Sequence, residues 1–198
     1  MISKIARVIV KNFIHSGHIE KNELELYEYG VFILLSNILF ISITALLGLV
    51  FGLLPQSLIF FVVFTIIRQY AGGYHASTEL RCEFLTTLGI LASIVIMSLI
   101  TSEFYFIVLV IITFILSVFI FIFAPIDTDE KVLDETELKV FCKRTKVVLI
   151  IVVTIIIVSF YFKIKTICVP CCISLILEGV LLIAGKFKKI RMGKRGET

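Results

Sequence analysis

Six apolar stretches separated by short polar connections constrain this chain more than any other feature of its sequence. They span residues 31–51, 53–67, 84–101, 104–124, 147–162 and 167–184. A helix that crosses a bilayer needs about 20 residues, with a range of about 17–25. The second and fifth stretches are shorter than this range, and the second is expected either to span the membrane or to re-enter it. Apolar residues make up 59% and charged residues 17% of the chain, which excludes a soluble domain, a disordered chain and a secreted disulfide scaffold.

The predicted fold class is all-α, a polytopic membrane helix bundle of about six transmembrane segments. Helices are expected because lipid offers no partner to an unpaired backbone group. We expect residues 1–198 to form a single integral membrane domain. Within it, residues 1–16 form an amphipathic interfacial helix, residues 31–184 the bundle and residues 185–198 a basic cytoplasmic tail.

The amphipathic pattern of the first segment supports its separate assignment. One set of residues recurs at helical spacing and forms the apolar face: Ile2, Ile5, Ile9 and Phe13. The basic residues Lys4, Arg7 and Lys11 lie on another face. Such a helix lies in the membrane interface, and the alternative is a soluble cap packed on the loops.

The positions of the basic residues predict the orientation of the chain. Seventeen of the nineteen Lys and Arg lie before the first stretch or after the second, fourth or sixth, and only Lys163 and Lys165 lie elsewhere. Because basic connections stay in the cytoplasm, we expect a multi-pass cell-membrane protein with both termini and the connection 68–83 on the cytoplasmic side. The net charge of +4 is modest and indicates no nucleic-acid partner.

The connection between the second and third stretches carries residues suited to catalysis. It holds His75, the only His outside the N-terminal region, and Cys82 seven residues later. A cysteine nucleophile needs a nearby base because the thiolate is the reactive form. On one continuous helix the two side chains would lie about 10.5 Å apart along the axis. Hydrogen-bond reach is only about 3 Å, so a dyad requires a break in the helix.

The same connection supplies a break. Gly72 and Gly73 interrupt the second helix, and Ser77 or Thr78 can cap the next one. His75 would then fold back over the first turn of the third span, where Cys82 lies. Several neighbours could orient the imidazole, and the sequence does not choose among them: Gln69, Glu79, Glu83 and Asp127.

Other titratable residues receive structural interpretations. Glu178 lies within the sixth stretch, where a carboxylate is costly, and we expect it to pair with Arg68 or Arg81. Cys168 and Cys171 form a C-x-x-C pattern inside an apolar stretch, which indicates packing. No metal site is predicted, because no other His lies near Cys82.

In the connection that holds His75 and Cys82 the sequence resembles the AgrB family, the membrane peptidases that mature quorum-sensing peptides in Gram-positive bacteria. The shared pattern is an Arg, three residues, Gly-Gly-aromatic-His-Ala, and a Cys seven positions after the His. It is matched by Arg68, Gly72, Gly73, Tyr74, His75, Ala76 and Cys82. Agreement at residues 28–30 and 124–128 extends the resemblance over nearly the whole chain.

The resemblance implies a mechanism. Cys82 would be the nucleophile and His75 the general base, supported by Arg68, Gly72 and Gly73, with no cofactor. The implied substrate is an AgrD-like propeptide at the cytoplasmic membrane surface. Cleavage would release its C-terminal part and leave an acyl-thioester, from which a Cys or Ser of the propeptide closes a thiolactone or lactone ring. The lipid bilayer is the other expected partner, and so small a bundle is compatible with a homodimer.

Two further interpretations stay open. The connection 125–146 places six acids before a basic segment and forms either a solvated loop with a membrane anchor or a docking surface for a charged propeptide tail. The family's Lys-Pro pair in this connection is incomplete, because Lys131 is followed by Val132. The alternative function is a non-enzymatic small membrane transporter or scaffold, although a transporter would favour internal repeats and breaks near the bilayer midplane.

Overall fold

The computed structural model describes residues 2–15, 23–73, 78–125 and 135–193, and the regular elements of this part are seven helices. They are α1 (Ile2–His15), α2 (Leu24–Val50), α3 (Leu54–Ala71), α4 (Glu79–Leu99), α5 (Glu103–Phe123), α6 (Glu135–Tyr161) and α7 (Lys165–Gly193). The predicted all-α membrane bundle is confirmed. Five helices, α2 to α5 and α7, are long and apolar enough to cross a membrane, and the remaining predicted segment lies in α6. The division at residues 16, 31 and 184 stays a prediction.

The second apolar stretch forms one uninterrupted helix, α3, paired with α2 in a tight hairpin. Gly52 has φ +67°, and the Leu53 N–H donates to the Gly48 carbonyl oxygen at 2.7 Å, which closes the turn within three residues. A Cβ at Gly48 would collide with the Ser57 hydroxyl. The glycine therefore lets the backbones of α2 and α3 approach each other closely, and the 18 residues of α3 give a length of about 27 Å.

Helix α7 forms the centre of the bundle. It packs against α3, α4, α5 and α6. Within the bundle, 61% of its apolar segment is buried, against 11–33% for the other candidate spans. The Ser174 hydroxyl lies 3.0 Å from the Phe60 carbonyl oxygen and joins α7 to α3. The lipid-facing helices thus enclose α7, which carries Glu178 into the interior.

Helix α1 packs on α2 through a face that only partly coincides with the predicted apolar face. Ile2, Ala6 and Val10 are buried, whereas Ile5 and Phe13 are exposed. The small Ala6 side chain allows the close approach. The Nε of Arg7 lies 3.2 Å from Oε1 of Glu28 and ties α1 to the first turns of α2. The amphipathic helix is present, with part of its apolar surface facing away from the protein.

Candidate functional site

Cys82 lies in the first turn of α4, after a break in the helical backbone. Helix α3 ends at Ala71, and α4 begins at Glu79 after Thr78, whose backbone is extended and forms the N-cap. The Cys82 N–H donates to the Thr78 carbonyl oxygen at 3.0 Å. The predicted break is therefore present and the Cys82 side chain is half-buried. His75 lies outside the described residues, so the His75–Cys82 dyad stays a prediction.

Two glycines end α3 in backbone conformations that other residues rarely adopt. Gly72 has φ +71° and Gly73 has φ +115°. The Gly72 N–H donates to the Arg68 carbonyl oxygen at 3.3 Å. A Cβ at Gly73 would collide with Nη1 of Arg68 and lie 3.5 Å from the Leu181 carbonyl oxygen. The positive φ and the lack of room for a Cβ beside Arg68 thus both favour glycine at residue 73.

Arg68 connects this turn to the centre of the bundle. Its Nη1 donates to the Gly72 carbonyl oxygen at 2.5 Å and lies 3.7 Å from Oε1 of Glu178. Glu178 is fully buried and the Arg68 side chain is 20% exposed. The predicted pair is therefore with Arg68, while Arg81 lies on the exposed surface of α4. A carboxylate in this position requires a cation, since an isolated intramembrane charge is costly.

A cavity of about 210 Å³ opens beside these residues, between α2, α3, α4 and α7. Arg68 and Cys82 both line it, so the residue predicted as nucleophile and the cation paired with Glu178 share one space. Most of the remaining wall is apolar. Its polar members include Asn37, Thr65 and Thr86.

Sequence reasoning missed the polar wall of this cavity, although a signal was present. Asn37 interrupts the first apolar stretch, and Thr86 follows Cys82 at the helical spacing of four. The Thr86 hydroxyl donates to the Cys82 carbonyl oxygen at 2.9 Å, so this Thr is satisfied by its own helix. A polar residue inside an apolar helix is a functional signal when it faces an interior space.

The candidates for orienting the imidazole have different environments. Gln69 is exposed, whereas Glu83 is half-buried with one carboxylate oxygen that has no hydrogen-bond partner in the described part of the chain. The Glu79 side chain and Asp127 lie outside what the structure describes. Of the two described candidates, Glu83 has the environment better suited to accept a hydrogen bond, and the choice among all four stays a prediction.

The predicted connection 125–146 is partly helical. Its basic half belongs to α6, which begins at Glu135. Arg144 lies over the Tyr70 ring, with 5.7 Å from Cζ to the centroid, so the first half of α6 contacts the end of α3. Four of the six acids and Lys131 lie outside the described residues, so the docking interpretation stays a prediction.

The structure places three of the other four cysteines in the core, whereas Cys142 on α6 is half-buried. Cys168, Cys171 and Cys172 are at most 1% exposed. The Cys168 Sγ lies 3.7 Å from the Ile156 carbonyl oxygen, in contact with α6. Within the described ranges, no three His, Cys, Asp or Glu side chains are arranged to hold a metal ion.

Comparisons with known proteins point to one family. The family model described as Accessory gene regulator B (AgrB) matches residues 2–183. An AgrB-like protein 2 of Clostridium perfringens (strain 13 / Type A) is 34% identical over 139 residues, which cover 66% of this chain and 64% of the relative. An AgrB-like protein of Clostridium perfringens (strain SM101 / Type A) is 31% identical with the same coverage.

A third relative matches over a shorter segment. An AgrB-like protein of Listeria innocua serovar 6a is 33% identical over 103 residues, which cover 52% of this chain and 49% of the relative. The match therefore spans less than two thirds of the length of each of these relatives. No solved structure matches the chain.

Proposed function

Because the chain belongs to the AgrB family, we propose that it is a membrane-embedded cysteine endopeptidase that processes an AgrD-like propeptide. The proposal assigns Cys82 as nucleophile and His75 as general base. It takes residues 1–198 as one membrane domain with both termini and the connection 68–83 in the cytoplasm. This orientation follows from the distribution of basic residues.

One observation carries the proposal: Cys82 and Arg68 line the same cavity, at the end where the Gly72-Gly73 turn leads toward His75. A thiol at this place is partly withdrawn from water and still open to a bound chain. The break between α3 and α4 removes the helical separation that would keep His75 and Cys82 apart.

In the proposed first step, His75 removes the Cys82 proton and the thiolate attacks a propeptide carbonyl carbon. The carbon–nitrogen bond then breaks, and the leaving amine takes a proton from the imidazolium. The Gly72 N–H is engaged by the Arg68 carbonyl. The Cys82 N–H is likewise engaged by the Thr78 carbonyl. The proposal therefore assigns the oxyanion to the N–H groups of α4 that precede Cys82, supported by the positive end of the helix.

In the proposed second step, a Cys or Ser of the propeptide attacks the acyl-thioester. This transfers the acyl group to the propeptide side chain, closes the ring and returns the proton and the free thiol to Cys82. Exchange between thioesters conserves an activated acyl bond, so thiolactone formation requires no ATP. Water must be excluded from the acyl-enzyme, and the apolar cavity wall beside Cys82 supports this.

The deciding experiment is co-expression with an AgrD-like propeptide, read by mass spectrometry of peptide and protein. The wild-type chain is expected to yield a C-terminally truncated peptide or an acyl adduct on Cys82. Neither product is expected with Cys82→Ala or His75→Ala, whereas Cys142→Ser serves as the thiol control and should process normally. Equal processing by Cys82→Ala would exclude the assigned nucleophile.

A further inference from the structure

The cavity beside Cys82 has a defined direction within the bundle. Arg68 on α3 and Cys82 on α4 lie at the end nearest the loop that joins these helices. Phe61 and Gly89 also line the cavity, each seven residues farther from that loop along its helix. At 1.5 Å per residue, the space extends about 10 Å into the bundle from the thiol.

The size of the cavity restricts what it can hold. Pockets that enclose a whole small-molecule ligand measure about 300–1,000 Å³. A cavity of about 150 Å³ lined by Leu, Ile and Phe is enough to hold a benzene molecule. The volume of about 210 Å³ therefore suits one aromatic or branched aliphatic side chain rather than a peptide segment.

The chemistry of the walls sorts the cavity into two ends. The deep end is formed by Phe40, Phe61, Gly89 and Leu177, which offer no hydrogen-bonding side chain. A charged side chain placed there would lose its hydration without compensation. The shallow end holds Cys82 together with Arg68, whose guanidinium is engaged by Gly72 and Glu178.

We infer that this cavity is the subsite for the apolar side chain of the propeptide residue whose carbonyl Cys82 attacks, with Gly89 setting its depth; the inference rests on the proposed function. The presence of Cys82 in the cavity wall selects this occupant, because the acyl residue remains attached to the thiol after the first step. Leu85 lines the cavity and is also exposed on the outer surface of α4, and the proposal takes this side as the entrance for an amphipathic peptide.

Gly89 is the position at which the depth of the cavity can be changed. A Cβ there would lie 3.5 and 3.7 Å from the two terminal carbons of Leu177, which is ordinary contact. A Cβ is therefore tolerated at this position, and the further carbons of Gly89→Leu should fill the deep end beside Leu177. The matched control is Gly30→Leu on α2, because a Cβ at Gly30 meets nothing within 4 Å and Gly30 does not line the cavity.

The first test measures the cavity without any peptide. The purified Cys142→Ser protein reacts with methyl or benzyl methanethiosulfonate, and intact-mass spectrometry follows labelling, with Cys82→Ala as the blank. The Cys82 thiolate attacks the sulfenyl sulfur, forms a mixed disulfide and releases methanesulfinate. Gly89→Leu should lower the benzyl-to-methyl rate ratio about tenfold, and Gly30→Leu should leave it unchanged.

A second variant keeps this test decisive if Gly89→Leu does not fold. Leu177→Ala enlarges the same end and should raise the rate for a naphthylmethyl methanethiosulfonate relative to the methyl reagent. The methyl rate reports whether Cys82 itself is undisturbed. If neither variant changes its ratio while the methyl rate stays constant, the cavity does not receive groups attached to Cys82 and the inference is overturned.

The second test identifies the occupant. The co-expressed propeptide carries Phe, Ala or Asp as the residue on the N-terminal side of the cleaved bond. The wild-type chain should process the Phe form and reject the Asp form, and Gly89→Leu should lower processing of Phe relative to Ala about tenfold. If the wild-type chain processes the propeptide and Gly89→Leu keeps the same preference for Phe over Ala, the subsite is refuted and the proposed function is not. A wild-type chain that cleaves no form refutes the proposed function, and with it the propeptide as occupant.

Discussion

Arg68 and Glu178 stand 110 positions apart in the sequence, and their side chains meet at 3.7 Å in the interior of the bundle. The same Arg68 guanidinium donates to the Gly72 carbonyl oxygen. One side chain thus joins α3, α7 and the start of the connection that contains His75. The described start of this connection, the Gly72-Gly73 turn, is thus linked through Arg68 to a carboxylate on the central helix.

Replacing Glu178 should destabilise the protein and reduce processing. Glu178→Ala leaves the Arg68 guanidinium without its buried counter-charge. The loss should be about 3 kcal/mol, the low end for a buried pair because Arg68 is one-fifth exposed. Thermal unfolding in detergent micelles measures it.

A surface ion pair provides the control for the Glu178 experiment. The Lys165 Nζ lies 2.7 Å from Oε1 of Glu103, whose side chain is 73% exposed. Glu103→Ala should leave the unfolding temperature almost unchanged, since exposed pairs contribute little. An equal decrease of the unfolding temperature in both variants would show that the buried pair of Glu178 contributes no more stability than the exposed pair of Glu103.

Gly73→Ala should be damaging although it adds only one methyl group. The residue has φ +115°, and the new Cβ would collide with the Arg68 guanidinium. The backbone strain alone costs about 1–3 kcal/mol. Unfolding temperature and propeptide processing should both fall. Gly30→Ala adds the same methyl in open space, and a comparable loss there would contradict the steric explanation.

Adding a methyl group where the backbones of α2 and α3 come closest should destabilise the hairpin. Gly48→Ala places a Cβ against the Ser57 hydroxyl and 3.1 Å from the Leu54 Cα. Overpacking of this kind costs about 1–3 kcal/mol. Ser57→Gly removes the colliding side chain, so the double variant should recover part of the stability in the same unfolding assay. A double variant that loses as much as the two single variants combined would argue against direct contact.

The proposed orientation can be checked with an impermeant thiol reagent. Cys142 lies near the basic start of α6 and is half-buried, whereas Ser102 is exposed in the α4–α5 turn at the other end. A charged maleimide should label Cys142 in inside-out vesicles, and a Ser102→Cys substitution in a Cys142→Ser chain should be labelled in right-side-out vesicles. The reverse pattern would invert the topology inferred from the basic residues.

The sequence predicted the helices well and their ends less well. Each of the six apolar stretches falls on one of the helices α2 to α7. However, α2 begins at Leu24 and α6 at Glu135, several residues before their apolar stretches. Hydropathy marks the part of a helix that meets lipid, while polar residues such as Glu25 and Glu28 continue the same hydrogen-bonding pattern outside it.

The motif residues of the site were predictable from the sequence, whereas the cavity beside them was predictable only in part. The positions of Arg68 and Cys82 and the break between α3 and α4 follow from local sequence, because glycine has a distinct conformational role. The choice of Arg68 over Arg81 as the partner of Glu178 depends on how α3 packs on α7. The cavity depends on four helices at once, so Asn37 and Gly89 could not be assigned to it from periodicity.

The central position of α7 has a consequence for biosynthesis. A ribosome that adds roughly 5–20 residues per second needs roughly 5–20 s to pass from Arg68 to Glu178. In a nascent chain stalled before α7, the cavity beside Cys82 should therefore still lack the wall that α7 supplies. On that stalled chain, the ratio of the benzyl to the methyl labelling rate of Cys82 should be lower than in the complete protein. The ion pair that holds the glycine turn forms only after the carboxylate of α7 enters the bilayer. Synthesis itself thus delays completion of the cavity beside Cys82 until the last described helix is in place.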